Sequence, residues 1–282
     1  MKGHAYYRLM RFDKPAGIIL LWSPTAWALW LSHNGMPPLK LLLLFLLGTI
    51  IMRAAGCVMN DIADRKIDKH VRRTHKRPLA ANEVNLTDAL ILLISLWLLA
   101  LLIVLKLPPT CLYYAVIALL VTVIYPFCKR FIQAPQLVLG VAFSMGIPMV
   151  YSASSRFNYS MIFLLLINFA WIIAYDTQYA MIDKTDDKKI GVHSTAILFG
   201  NYDRVVILLL HLFIHALWLV LAWYDNFFVA RFIVCWVFGG IVFSYQHYLL
   251  TTQEAQQYLR AFSSNALYGL LLWFGIVMAY IQ

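Results

Sequence analysis

"NDIADRKIDKHVRRTHKRPLAA", residues Asn60 to Ala81, follows without a break on more than twenty almost wholly apolar residues. It carries three carboxylates, Asp61, Asp64 and Asp68, and seven basic side chains, Arg65, Lys66, Lys69, Arg72, Arg73, Lys76 and Arg77. A helix crosses the hydrocarbon core of a bilayer with about 20 residues. Residues 38–60 meet that requirement, so the quoted stretch marks where the chain leaves a membrane.

The rest of the chain has the same character. Of its 282 residues 62% are hydrophobic and 13% charged, whereas roughly half of a soluble domain is apolar. A soluble domain is excluded. Further spans are predicted near 16–33, 86–106, 109–126, 134–154, 159–180, 203–224, 227–250 and 263–281, which makes nine with 38–60. Pro37-Pro38, Pro108-Pro109 and Pro135 fall at the breaks, where proline costs a helix least. Runs this long and continuous are helices and not barrel strands. The expectation is an all-α, nine-transmembrane-helix bundle forming one domain over residues 1–282. Cys57, Cys111, Cys128 and Cys235 form no CxxC and have no paired histidines nearby, so they read as packing residues. The N-terminal residues show neither a signal-peptide cleavage pattern nor transit character, and the mature chain is expected to start at or near Met1.

The basic residues orient the bundle. With the N-terminus on one side, that side receives Lys2, Arg8, Arg11, Lys14, the loop 61–85, Lys129, Arg130, Lys184, Lys188, Lys189, Arg204 and Arg260. The other side receives Lys40, Lys106, Arg156 and Arg231. By the positive-inside rule the first side is cytoplasmic, which suits a multi-pass protein of the bacterial inner membrane with its C-terminus on the opposite side. The net charge of +10 is thereby a topology signal, and a nucleic-acid partner is not indicated.

Acidic residues gather on the same side. Four spans after Asp61, Asp64 and Asp68, a second group, Asp176, Asp183, Asp186 and Asp187, lies in "YDTQYAMIDKTDDKKIG". At about 100° per residue, Arg53, Asn60, Asp61, Asp64 and Asp68 share an arc of roughly 100°. Asp176, Asp183 and Asp187 share roughly 40°, provided the helix runs past the membrane to a stop at Gly191. Asp186 points elsewhere, to solvent. A plainer reading is two solvated helix ends with local pairs such as Asp64 with Lys69 and Asp187 with Lys188. Two clusters on one side, each aligned on one face and each preceded by polar groups inside the membrane, argue for a site, because intramembrane ionisable residues are costly.

Facing carboxylates raise one another's pKa unless a cation holds them. Oxygen ligands without His or Cys select Mg²⁺, which is bound through carboxylates and substrate phosphates together. The basic loop, with Lys129 and Arg130, offers donors to those phosphates. The implied ligand is a diphosphate at the mouth of a lipid-facing cavity, with a hydrophobic tail. Ionisation of an allylic diphosphate would leave a carbocation for aromatic faces to stabilise, and Tyr125, Phe127, Tyr151, Trp171, Tyr175 and Tyr179 are candidates.

The same residues carry a family resemblance. "NDIADRKIDKHVRRTHKRPLA" resembles the NDxxDxxxD motif of the UbiA superfamily of intramembrane prenyltransferases, and "DKTDD" its second, DxxxD motif. "RFDKPAGIILLWSPTAWAL", "MRAAGCVMND", "YPFCKR" and "YDTQYAMIDKTDDKKIGVHSTAILFG" narrow the resemblance to the 4-hydroxybenzoate polyprenyltransferases of ubiquinone biosynthesis, along essentially the whole chain. The resemblance implies a central cavity capped by cytoplasmic loops, and Mg²⁺-dependent transfer of a polyprenyl group from its diphosphate to 4-hydroxybenzoate, ortho to the hydroxyl. It implies Mg²⁺ at Asp61, Asp64, Asp68, Asp183 and Asp187, with Asp61, Asp64, Asp183 and Asp187 as the catalytic set. Asn60, Arg72, Lys129 and Arg130 would help hold the diphosphate. Arg53, two turns deeper than Asn60 on the same face, is the geometric candidate for the acceptor carboxylate, with Lys14 second. Tyr125 and Asp176 complete the expected substrate contacts.

Other classes stay open at this stage. An ion-coupled transporter would line a pathway with acids, yet one side has almost none. A naphthoate or haem acceptor on the same scaffold is a further reading. A CDP-alcohol phosphotransferase would need a DG and AR pattern that is missing here.

Overall fold

In lipid, a backbone N–H or C=O finds no water, so a spanning segment must close its hydrogen bonds within itself, as a helix does. The computed structural model describes residues 2–281; Met1 and Gln282, and with Met1 the expected start of the mature chain, lie outside the described residues. Every regular element among the described residues is helical: α1 (Lys2–Leu9), α2 (Ala16–Ser32), α3 (Leu39–Asp64), α4 (Leu86–Val104), α5 (Thr110–Cys128), α6 (Pro135–Ser144), α7 (Gly146–Ala153), α8 (Tyr159–Ile190), α9 (Thr195–Phe199), α10 (Asp203–Tyr224), α11 (Ala230–Thr251) and α12 (Ala255–Tyr280), with 3-10 turns at Asp68–His70 and Gly200–Tyr202. Eight segments, with α6 and α7 counted as one and α9 and α10 as another, are long and apolar enough to span a membrane, and α2 is a shorter apolar helix of 17 residues. They fall on the nine expected stretches.

Local chemistry sets the ends. Asn85 accepts the Asp88 N–H at 2.7 Å and Asn158 that of Met161 at 3.4 Å, side-chain caps that satisfy otherwise unpaired first-turn donors. Gly191 closes α8 in the left-handed region at φ 72°, as its place after the last lysines foretells. At 32 residues α8 is about 48 Å long, well beyond a hydrocarbon core of about 30 Å, so its acidic end projects from the membrane.

Three features depart from expectation. The fifth span is not one helix but two, α6 and α7, broken at Met145. Pro148 has no N–H to give the Ser144 carbonyl, and Gly146 lies so close to the Thr25 hydroxyl that a Cβ would collide with it. The acidic stripe does not continue along one helix to Asp68 either: α3 stops at Asp64, and Asp68 opens a 3-10 turn. Finally, α1 precedes the first span, a helix that the apolar pattern does not announce.

Helices α2, α3, α5, α6, α8 and α12 pack as neighbours in a ring, with α4 against α3, α10 behind α8 and α11 behind α12. On the α8 side the ring is welded by aromatic packing. Trp27 lies 5.2 Å from Trp171 and 5.0 Å from Trp218, ring centre to ring centre. The polar edges are satisfied inside: the Trp27 indole donates to the Gly269 carbonyl at 3.0 Å, that of Trp171 to Asn265 at 2.9 Å, and Asn265 to Gln178 at 2.8 Å. Buried polar groups paired in this way fix one arrangement of α2, α8 and α12.

Candidate active site

The ring surrounds a cavity of about 970 Å³ whose mouth lies where α3 and α8 end. Its depth is apolar, with Leu20, Phe45, Met52, Leu139 and Phe143 among the lining residues. Leu101, Leu112 and Val116 of α4 and α5 line it too, and are 43%, 39% and 48% exposed. This wall gives a long apolar chain an apolar surface to lie along.

At the mouth, carboxylates meet cations of the same chain. Asp61, 1% exposed, accepts from Arg11 Nη2 at 2.7 and 2.9 Å and stands 3.2 Å from Arg77. Arg77 also donates to both oxygens of Asp68, at 3.1 and 2.9 Å. Lys129 Nζ reaches Asp64 at 3.0 Å and Asn60 at 3.5 Å. Arg73 pairs with Asp183 through Nε at 3.0 Å and through Nη2, and lies over the Tyr179 ring at 4.6 Å. Burial pushes the Asp68 carboxyl above its usual range against the pull of Arg77. Burial opposes the charge of Lys129, but Asp64 outweighs it and raises the amine above its ordinary value. Asp187 lines the same mouth and is in no ion pair among the described residues.

These acids offer oxygen donors only, the chemistry of a hard divalent cation. Among the described residues no three His, Cys, Asp or Glu side chains stand together as a metal cage, because most of the motif acids are turned to an arginine or lysine instead. Arg11, Arg73, Arg77 and Lys129 supply positive charge to these carboxylates. The donors fit a metal whose binding exchanges those partners.

Deeper in the cavity stands Arg53, eight residues or about 12 Å before Asp61 along α3. Its guanidinium lies against Gly17 of α2, so close that a Cβ there would fall 2.6 Å from Nε. Its Cζ is 6.0 Å from the centre of the Phe143 ring. Nε is buried and has no hydrogen-bond partner, an uncommon and costly condition for a charged donor.

Lys14, Arg53, Asn60, Asp61, Asp64, Asp68, Tyr125, Lys129, Asp176, Asp183 and Asp187 all line this one cavity. Arg72 and Arg130 do not. The Arg72 side chain is 82% exposed and meets Asp186 at 3.4 Å, so Asp186 is partnered and not simply solvated. Arg130 turns to the Ala63 carbonyl at 3.1 Å. The local pairs Asp64–Lys69 and Asp187–Lys188 do not form. Of the aromatic candidates Tyr125, Tyr175 and Tyr179 line the cavity, while Phe127 lies under Arg130 and Tyr151 and Trp171 belong to the core. Sequence reasoning passed over Arg11 and Gly17. Arg11 takes φ 60°, uncommon for a residue with a side chain, and lies 50 residues from the acid it holds; no local pattern links them.

Residues 21–275 match the UbiA prenyltransferase family. The chain is 54% identical over 281 residues to a 4-hydroxybenzoate octaprenyltransferase of Legionella pneumophila subsp. pneumophila, covering 99% of each. Among solved structures, an apo UbiA homolog from Aeropyrum pernix K1 superimposes with a TM-score of 0.82 at 21% identity, over 95% of this chain and 99% of that one. A UbiA homolog from Archaeoglobus fulgidus bound to GPP and Mg²⁺ does so with a TM-score of 0.71 at 16% identity, over 97% and 99%. At these identities the structural likeness speaks for the fold alone.

Proposed function

The chain belongs to the UbiA prenyltransferase family, and from that premise we propose that it transfers a polyprenyl group from polyprenyl diphosphate to 4-hydroxybenzoate, at the ring carbon ortho to the hydroxyl, in ubiquinone biosynthesis. The observation that carries this reading is a single cavity with two unlike ends, a mouth of acids and bases and, below it, a guanidinium whose buried Nε has no hydrogen-bond partner.

Mg²⁺ would be held by Asp61, Asp64, Asp68, Asp183 and Asp187, and when bound it neutralises the diphosphate as a leaving group. Arg11, Arg73, Arg77 and Lys129, released from those acids, donate to diphosphate oxygens, with Asn60 beside them. Arg72 and Arg130, outside the lining, contribute charge at longer range. The allylic C–O bond breaks with its electron pair leaving on the diphosphate. The ring carbon of the acceptor then forms the new C–C bond and loses its proton. Tyr125, Tyr175 and Tyr179 present ring faces to the cationic carbon, and the apolar depth keeps water from it. Arg53 takes the acceptor carboxylate, for which a guanidinium is suited by its paired donors; Lys14, nearer the mouth, is the second candidate. Asp176, on the face of α8 that carries Asp183 and seven residues deeper, contacts the acceptor. The mouth and the N-terminus face the cytoplasm, and the C-terminus the far side of a bacterial inner membrane.

The test is incubation of membranes containing the chain with 4-hydroxybenzoate, geranyl diphosphate and Mg²⁺, and identification of the product by mass. Prenylated 4-hydroxybenzoate is expected. If a naphthoate is prenylated while 4-hydroxybenzoate is left untouched, the acceptor assignment is wrong.

A further inference from the structure

The seven basic residues that follow α3 divide into two groups. Arg72, Arg73 and Arg77 are ion-paired with acids, and Lys76 lines the main cavity. Arg65, Lys66 and Lys69 are in no ion pair among the described residues; the one side-chain bond in this group runs from Arg65 to the Ile62 carbonyl at 3.0 Å. All three line a second cavity of about 370 Å³, separate from the first, whose other wall includes Leu79, Val84 and Leu86.

The position of this second cavity is informative. Leu86 is the first residue of α4, and the turns that follow expose Leu90 at 41% and Ile91 at 59%, as a helix in contact with lipid does. The cavity thus sits where the hydrocarbon begins, on the side of the bundle that carries most of the basic residues. Its walls carry the three cations and, with them, Leu79, Val84 and Leu86, of which Leu86 alone is exposed, at 37%. Three like charges converging on one cavity repel one another, and an anion between them relieves that repulsion. Of the acids close by in sequence, Glu83 pairs with Arg8, Asp64 and Asp68 face the main cavity, and Asp88 does not line this one.

We propose that Arg65, Lys66 and Lys69, with the apolar wall of Leu79, Val84 and Leu86, form a binding site for the phosphate headgroup of an anionic membrane phospholipid. The phosphodiester lies between the three cations, and the acyl chains run down the exposed face of α4. Charge complementarity and the level in the membrane select this ligand over a soluble anion, which would gain nothing from the apolar wall. The site is independent of the reaction assigned to the main cavity.

Native mass spectrometry of the full chain in detergent, titrated with phosphatidylglycerol, phosphatidylcholine or inorganic phosphate, tests the proposal. Each basic residue near an anionic lipid surface contributes a roughly fivefold effect, so Lys66→Gln/Lys69→Gln is expected to weaken phosphatidylglycerol retention by roughly tenfold or more. Lys188→Gln/Lys189→Gln, which removes two exposed cations from the end of α8 outside the cavity, is expected to change retention less than twofold. With the unaltered protein, raising salt should release phosphatidylglycerol and leave phosphatidylcholine retention unchanged. The proposal is overturned if the Lys66/Lys69 variant retains the lipid normally, if the Lys188/Lys189 variant loses as much, if retention ignores salt, or if inorganic phosphate binds as tightly as the lipid.

Discussion

The mouth and the depth of the main cavity solve opposite problems. At the mouth, Asp61, Asp64, Asp68 and Asp183 each already hold a cation of the chain, so a ligand would enter by exchanging partners. In the depth, Arg53 Nε has no hydrogen-bond partner, so a ligand would enter by supplying a missing one. The contrast separates chemistry from recognition. A change at the mouth should strike turnover, and a change in the depth should strike acceptor affinity.

The largest effects belong to the mouth. Asp64→Asn and Asp183→Asn should each reduce turnover on the order of a hundred- to a thousandfold, with inserted, purifiable protein, because each removes a charge from the leaving-group end. Near-normal activity in either variant would remove the basis for assigning the two clusters to one site. Chelation with excess EDTA should abolish product formation, and full turnover in its presence would rule the metal out.

Next in size is Arg53→Ala. A buried charged contact is worth about 2 to 5 kcal/mol when one partner is truncated, so the KM for 4-hydroxybenzoate should rise steeply. Affinity for a non-hydrolysable prenyl diphosphate with Mg²⁺ should change little. The reverse result would move Arg53 to the phosphate site and give the carboxylate to Lys14. A subtler probe of the same end is Gly17→Ala, which introduces a methyl group where the guanidinium lies. A roughly tenfold rise in acceptor KM with kcat nearly unchanged is expected, of the order of one polar contact; a fall in kcat at constant KM would contradict the split.

The smallest effect is expected at Arg72. Exposed ion pairs contribute about 0 to 1 kcal/mol, and Arg72 stands outside the lining, so Arg72→Ala should leave rate and affinity within about threefold. Arg73→Ala, one residue away but half-buried and packed on Asp183 and Tyr179, should weaken diphosphate binding far more. If the two variants behave alike, the mouth is a diffuse field of charge and not a set of specific pairs.

How much of this was legible beforehand follows from the range of each interaction. The spans, their turns and the stop at Gly191 are written in runs of apolar residues and in proline, asparagine and glycine at their ends, because a helix in lipid is determined by its own segment. The gathering of Asp61, Asp64, Asp183 and Asp187 on one side follows from counting spans, and their shared faces from the 3.6-residue turn. Arg53 was visible because a charge in a span has no local excuse. The partner of each acid was not legible. Arg11 meets Asp61 across 50 residues and Arg73 meets Asp183 across 110, and neighbouring Arg72 and Arg73 go to different acids according to which way the loop turns after Asp68. Gly17 gains its meaning only when α2 is laid against α3, and Tyr151 and Trp171 are core only because other helices close over them. Sequence by itself determined which segments cross the membrane and which side carries the charge, since both depend on local composition. Tertiary structure alone decided which cations neutralise which acids, and which arginine keeps an unmet donor, since those depend on distances between segments that no local pattern encodes.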